Sequence, residues 1–483
     1  MKNYFNRLFL LLSAICIVQC AKKEPVPNNL VIHDFVWKGL NAYYLHQDKV
    51  PKLSDRQFSS DTQLNNYLAT FTDYNELYNS LLISEDNKSF LSEEFIDNSL
   101  PPHNQFTNGV EFGIIGNPQN DIDVIGYVTH ILPGSFAESK DIKRGDFFNA
   151  IDGVQLTRNN FEDLLLNGND NFALSIINFD GLNVSSTIKT VNLEKQNYSY
   201  NKAFKEKTIT IGADNIGYLI YNNGFSKSDI ELLNETFLSF KNSNVNKLIL
   251  DLRYNISGGS YASDIAVLAS IITGQFSNQV LIKEEWNLKA QEWFQTHQPD
   301  SLITTFVDKI SSTTPINNLE VSDIYIILNG NEFTGSSSVE LLINSLKPYI
   351  NVHIIGRNTK GNNTGSITLY NSQDYNFEFK NENHSISISP IVLQFLNKNN
   401  ETYSDGFIPN VVLCPHENVL NLGVLGENSD PIFNMLLNYI ATGNNIQSNV
   451  CNINNYEFLF SSITSQREID KGIFIKQVLP NTN

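Results

Sequence analysis

Between Asn29 and about Asn98, apolar residues return at helical spacing: Phe35, Trp37, Leu40, Tyr43 and Tyr44 first, then the runs LNNYLATF and YNELYNSLLI. Residues three and four apart share a helix face, so the pattern predicts helices with an aromatic face turned to a core. Pro101-Pro102 then breaks the chain. From about Val110 to Glu194 the period shortens to two: GVEFGII and DVIGYVTHIL read as strands, and the helical NNFEDLLLNG follows after several turns. From about Ile209, strand and helix alternate. NIGYLIY, KLILDLRYN, DIYIILNG and VHIIGRN are apolar strand runs, and DIELLNETFLSF, SDIAVLASIITG and VELLINSLKPYI are the helices between them. Near-continuous apolar strands separated by helices predict an α/β core with a largely parallel sheet.

A chain of 483 residues exceeds one core and divides into several domains. The predicted fold is multidomain α/β. The boundaries are an N-terminal signal over 1–20, a helical segment over 21–102, a β-rich domain over 105–195, the α/β core over 205–445 and a tail over 446–483. A net charge of −18 argues against a nucleic-acid partner, because phosphate binding needs a basic surface.

The N-terminus MKNYFNRLFLLLSAICIVQC carries Lys2 and Arg7, an apolar run from Leu8 to Val18, then Cys20 and a polar stretch. The run is short for a bilayer span and reads as a signal peptide. Ending on a cysteine, it resembles a bacterial lipoprotein signal. That resemblance implies lipidation at Cys20, a membrane anchor and a location in the cell envelope. Gln19 departs from the small residue usual before that cysteine. After processing, Cys414 and Cys451 remain; outside the cytoplasm they either pair or stay as two buried thiols. Neither belongs to a CxxC or Cys/His cluster, so no metal site is predicted.

The β-rich stretch carries turns in a fixed order: Pro133-Gly134, then Ile142-Lys143-Arg144-Gly145-Asp146, then Ile151-Asp152-Gly153. It resembles a PDZ domain, a fold that adds a peptide as an extra strand and often holds its C-terminal carboxylate on backbone amides. By position, Phe112, Gly113, Ile114 and Ile115 are the peptide-binding strand; the alternative is a domain that only packs on its neighbour.

Within the core, NEFTGSSSVELLINSLKPY places a serine cluster between a strand and a helix. Helix N-termini favour negative charge, which suits a nucleophile, but serine is also a preferred helix cap. Read with LILDLRYNISGG before it and IIGRNTKGNNTGS and DGFIPN after it, the chain resembles the C-terminal processing (tail-specific) proteases of peptidase family S41, whose core is shared with ClpP and crotonase. The resemblance implies peptide-bond hydrolysis near protein C-termini, unstructured or C-terminal protein segments as partners, and no cofactor. It makes Ser337 the nucleophile and gives Ser338, Gly258 and Gly259 to the oxyanion hole.

The family's general base is a lysine 25 residues after the nucleophile. That position here is Asn362, since 362 − 337 = 25. A serine needs a neighbouring base to attack at neutral pH, and an amide does not take up a proton. Lys360, two residues earlier, is the candidate substitute if the segment is a strand, where both side chains face one side. His353 reads as a packed strand residue, and neither His384 nor His416 has a positional argument. In the family's D-L-R-x-N-x-G-G run, Ile256-Ser257 displaces the glycines by one step, while Asp251 and Arg253 are able to pair. Two readings follow: an active peptidase, or an inactive relative that binds polypeptide.

Overall fold

The structure is a computed structural model that describes residues 25–95, 104–199, 205–222, 225–255, 260–328, 335–443, 456–463 and 473–474. The expected signal and Cys20 lie outside these residues. None of the described helices is long and apolar enough to cross a membrane.

The chain forms two compact units. The first runs to Phe95 and takes in Leu369–Ser389. Its helices Val31–Tyr43, Asp61–Leu68 and Tyr74–Ser80 follow the sequence pattern. Phe35, Trp37, Leu40, Tyr43 and Tyr44 are all buried, as the aromatic face predicted. Ser60 and Asp73 cap the second and third helices by accepting the Gln63 and Asn75 amides. The sequence placed 369–389 inside the α/β core. Instead Ser387–Ser389 pairs with both Phe90–Ser92 and Leu369–Tyr370 to make a three-stranded sheet of this first unit.

The second unit holds the β-rich domain and the α/β core. In the β-rich domain, strands Val110–Gly116, Val124–Ile131, Phe147–Ile151, Asn171–Ile177 and Lys189–Glu194 lie side by side in that order. Helix Phe161–Leu165 contributes Phe161 and Leu165 to the apolar cluster on one face, with Phe112, Ile114 and Phe148. The turns the sequence marked fall where φ is positive: Gly134 (77°), Gly145 (87°), Asp152 (49°) and Gly153 (79°). Glycine accepts that region without a steric cost.

The core is built on a six-stranded sheet. Its order is Lys205–Ile211, Asp214–Ile220, Lys247–Asp251, Asp323–Ile327, Asn351–Gly356 and Val411–Val412. The first pair is antiparallel and the rest are parallel, matching the alternation in the sequence. Helix Lys227–Asn242 begins with a reciprocal cap between Ser226 and Asp229. A second six-stranded sheet was not foreseen. Its order is Ser260–Tyr261, Ile473–Phe474, Thr364–Ser366, Ile391–Asn397, Val280–Trp286 and Ile303–Thr305.

One sequence expectation needs correction, and one open alternative is resolved in part. The stretch 446–483 was read as a tail, yet Phe458–Ser461 joins the sheet of the β-rich domain and Ile473–Phe474 joins the second core sheet. The cysteines were open between pairing and free thiols; Cys414 is disulfide-bonded.

Candidate active site

Ser337 is the first residue of helix Ser337–Leu346, which follows strand Asp323–Ile327. Ser336 is its cap, in extended backbone, with its hydroxyl accepting the Val339 amide at 3.4 Å. The serine cluster therefore divides its labour: Ser336 caps the start of the helix, and Ser337 stands inside it at the positive pole of the helix dipole. Ser338 is the next helical residue and is buried, as are all ten residues of the helix.

The partner of Ser337 comes from the loop that leaves strand Asn351–Gly356. Thr359 anchors this loop to the DGFIPN segment: its amide donates to the Phe407 carbonyl at 3.1 Å, and the Phe407 amide donates to its hydroxyl at 2.7 Å. Gly361 has φ 81°, and a Cβ there would stand 2.1 Å from the Ser404 carbonyl oxygen, so the position admits only glycine. Glu340, one turn along the Ser337 helix, accepts the Gly361 amide at 2.6 Å and the Asn362 amide at 2.8 Å. Its two oxygens clamp the loop and aim Asn362 at the serine.

The Asn362 side-chain amide donates to Ser337 Oγ, and its carbonyl oxygen accepts from Thr364 Oγ1 at 3.2 Å. Both Ser337 and Asn362 are buried. The residue 25 positions after the serine touches it. The segment is a loop, not the strand that would have aligned Lys360 with Asn362, and Lys360 is exposed. Gly258 and Gly259 lie outside the described residues.

The histidines have other work. His353 stacks on Tyr325 with ring centroids 4.5 Å apart and lies 3.3 Å from Asp323. His384, in the first unit, bonds to Asn371, and His416 stacks on Phe458. Phe112, Gly113, Ile114 and Ile115 lie on Val110–Gly116 and are buried, with Phe458–Ser461 paired along that strand.

The DLR run leads to a buried charge network that the sequence only half disclosed. Arg253 is fully buried and pairs with Asp251 at 2.8 Å, as that spacing allowed, and also with Asp430 at 2.9 Å and Glu417 at 3.2 Å. Arg144, from the Ile-x-x-Gly-Asp turn of the β-rich domain, reaches Glu417 at 2.8 Å and bonds to the Tyr254 hydroxyl. Tyr254 donates to Glu417 and stacks on His130. Burial works against a charge on Glu417, but Arg144 and Arg253 outweigh it and hold this carboxyl at about 2. Two guanidinium groups from different domains thus share one carboxylate beside the strand that leads to the glycine loop. Glu417 has no motif of its own, and only the folded chain identifies it.

In either orientation of the amide, Asn362 only hydrogen-bonds to the hydroxyl and does not accept its proton.

Comparison with known proteins agrees with the architecture. The model of the peptidase S41 N-terminal domain matches residues 32–95, and that of peptidase family S41 matches residues 215–384, which include Ser337, Glu340 and Asn362. Among solved structures, a protein of Bacteroides fragilis NCTC 9343 assigned as an S41 protease superposes with a TM-score of 0.63 at 19% identity, covering 84% of this chain and 97% of that one. The photosystem II D1 C-terminal processing protease aligns with a TM-score of 0.45 at 15% identity, over 84% of this chain and all of that one. No curated protein matches by sequence. With the N-terminal domain, the peptidase domain and the serine helix following one another in a single chain, this protein belongs to peptidase family S41.

Proposed function

We propose that this chain is an exported, lipid-anchored polypeptide-binding protein of the cell envelope that keeps the S41 protease fold and has lost its hydrolytic step. The observation that carries the reading is the bond from the Asn362 amide to Ser337 Oγ, in the place of a base. With substrate binding and oxyanion contacts alone, acceleration falls to roughly 10³–10⁴-fold over water, far short of a protease. The exposure of Lys360 counts against a substitute base from that residue. The β-rich domain acts in this reading as a PDZ-type peptide receptor, supported by its turn geometry and by the burial of Phe112 to Ile115 beside helix Phe161–Leu165. Export and anchoring rest on the N-terminal run ending at Cys20.

The test incubates the mature protein with an unstructured polypeptide such as casein, beside Ser337→Ala. The expected result is binding without fragments, identical in the two proteins. Fragments that appear with the native chain and vanish in Ser337→Ala would establish the active peptidase instead.

A further inference from the structure

The strand Val110–Gly116 has a partner on each side. One is its sequence neighbour Val124–Ile131, and the other arrives from more than 300 residues away. Phe458–Ser461 runs antiparallel to it, with Phe458 opposite Ile115, Phe460 opposite Ile114 and Ser461 opposite Gly113. The Gly116 amide donates to the Glu457 carbonyl at 2.8 Å. Phe460 lodges its ring 5.9 Å from that of Phe112 and 5.7 Å from that of Phe161, the first residue of helix Phe161–Leu165. A strand laid between a sheet edge and a helix, with one side chain inserted between them, has the geometry of peptide recognition by strand addition.

The end of this strand departs from recognition of a free C-terminus. The Phe112 amide, free to hold a ligand carboxylate in that mode, donates instead to Ser462 Oγ at 2.9 Å. The Ser462 hydroxyl donates in turn to Glu111 Oε2 at 2.6 Å. Glu111 and Ser462 are 2% and 3% exposed. A terminal carboxylate placed where Ser462 lies would meet the Glu111 carboxylate at hydrogen-bond distance, out of water. Two such groups do not both ionise there without a large cost. A hydroxyl fits, because it donates to Glu111 and accepts from Phe112.

We propose that the groove between Val110–Gly116 and Phe161 binds internal polypeptide segments carrying an aromatic residue two positions before a serine or threonine, that Glu111 rejects free C-termini, and that residues 457–462 fill the groove as its resident ligand. This rests on the peptide-binding reading above, and not on the state of the Ser337 site. Because the resident segment is tethered, its effective concentration is of millimolar order, and a free peptide competes poorly until the segment is weakened.

The probe is a fluorescein-labelled peptide of residues 456–463, YEFLFSSI, with capped ends, and a second peptide ending at Ser461 with a free carboxylate, which then stands where Ser462 lies. Binding is followed by fluorescence anisotropy on the full mature chain. Phe460→Ala should bind the capped peptide at least ~100-fold more tightly than the native chain does. The same variant should prefer the capped form to the free carboxylate by about tenfold, a preference that Glu111→Gln added to it abolishes. Equal binding by the native chain and Phe460→Ala, or no preference for the capped form, overturns the proposal. Hydrogen exchange on the native chain gives a test without substitution. The Phe112 and Gly116 amides should exchange through a local opening that is insensitive to low denaturant; exchange only by global unfolding makes the segment a fixed strand and also overturns the proposal. Neither readout involves cleavage. Hydrolysis at Ser337 would therefore sink the proposed function and leave this inference standing, and the reverse holds as well.

Discussion

The side-chain amide of Asn362 donates to the hydroxyl of Ser337, two buried residues 25 positions apart that the Glu340 clamp brings into register. The bond holds the serine hydroxyl at a helix N-terminus, and the amide that holds it does not take up a proton.

Asn362→Lys returns an amine to that point. Burial lowers an amine's affinity for its proton, which makes it a usable base near neutral pH. Ser337-dependent reaction with an acylating probe is expected to rise by about 10²–10⁴-fold, the range a general base supplies. Labelling followed by mass spectrometry checks it, and the gain should vanish in Ser337→Ala/Asn362→Lys.

Glu340→Gln removes the charge that holds both the Gly361 and Asn362 amides. Hydrogen bonds to a charged group contribute more than neutral ones, so a loss of about 2–3 kcal/mol is expected. Urea unfolding measures it. Reactivity of Ser337 in the Asn362→Lys background should fall as well, because the loop no longer aims position 362.

Acid should weaken the bond between domains at Glu417. Its folded carboxyl titrates at about 2, below the 4.5 of an ordinary glutamate, because Arg144 and Arg253 overcome the burial that opposes its charge. A depressed carboxyl adds stability that is fully present above about 4.5 and is lost as pH falls toward 2. Relative to Glu417→Gln, the native chain should be more stable by roughly 3 kcal/mol at pH 7, with the gap closing across that window. Unfolding midpoints from pH 7 down to pH 3 follow it.

Glu284 predicts the opposite slope. Burial pushes its carboxyl up to about 7, only partly offset by the Trp286 indole that donates to it. A raised carboxyl contributes stability that is whole below about 4.5 and is lost as pH rises through 7. Glu284→Gln should therefore melt higher than the native chain at pH 8, by an amount on the order of 3 kcal/mol at most, and nearly equal it at pH 4. Thermal melts at the two pH values decide it.

Much of this protein was legible before folding. Helical spacing found Val31–Tyr43 and the strand–helix alternation found the parallel sheet, because apolar periodicity reports which face of each element meets a core. The turns at Gly134, Gly145 and Gly153 were readable because glycine tolerates positive φ. The family's 25-residue spacing pointed from Ser337 to Asn362, which follows it by a helix, a strand and a loop.

The sequence by itself settled the order of elements, the family resemblance and the asparagine 25 positions after Ser337, all of which are local or counted along the chain. Tertiary structure decided that Lys360 faces solvent, that Arg144 and Arg253 share Glu417, that Leu369–Ser389 leaves the core for the first unit, and that Phe458–Ser461 fills the edge of Val110–Gly116. The last three join residues far apart in the chain. Backbone hydrogen bonds between strands carry no record of their partner in either strand's own pattern, and a buried charge finds its counter-charge only once burial has removed water as the alternative.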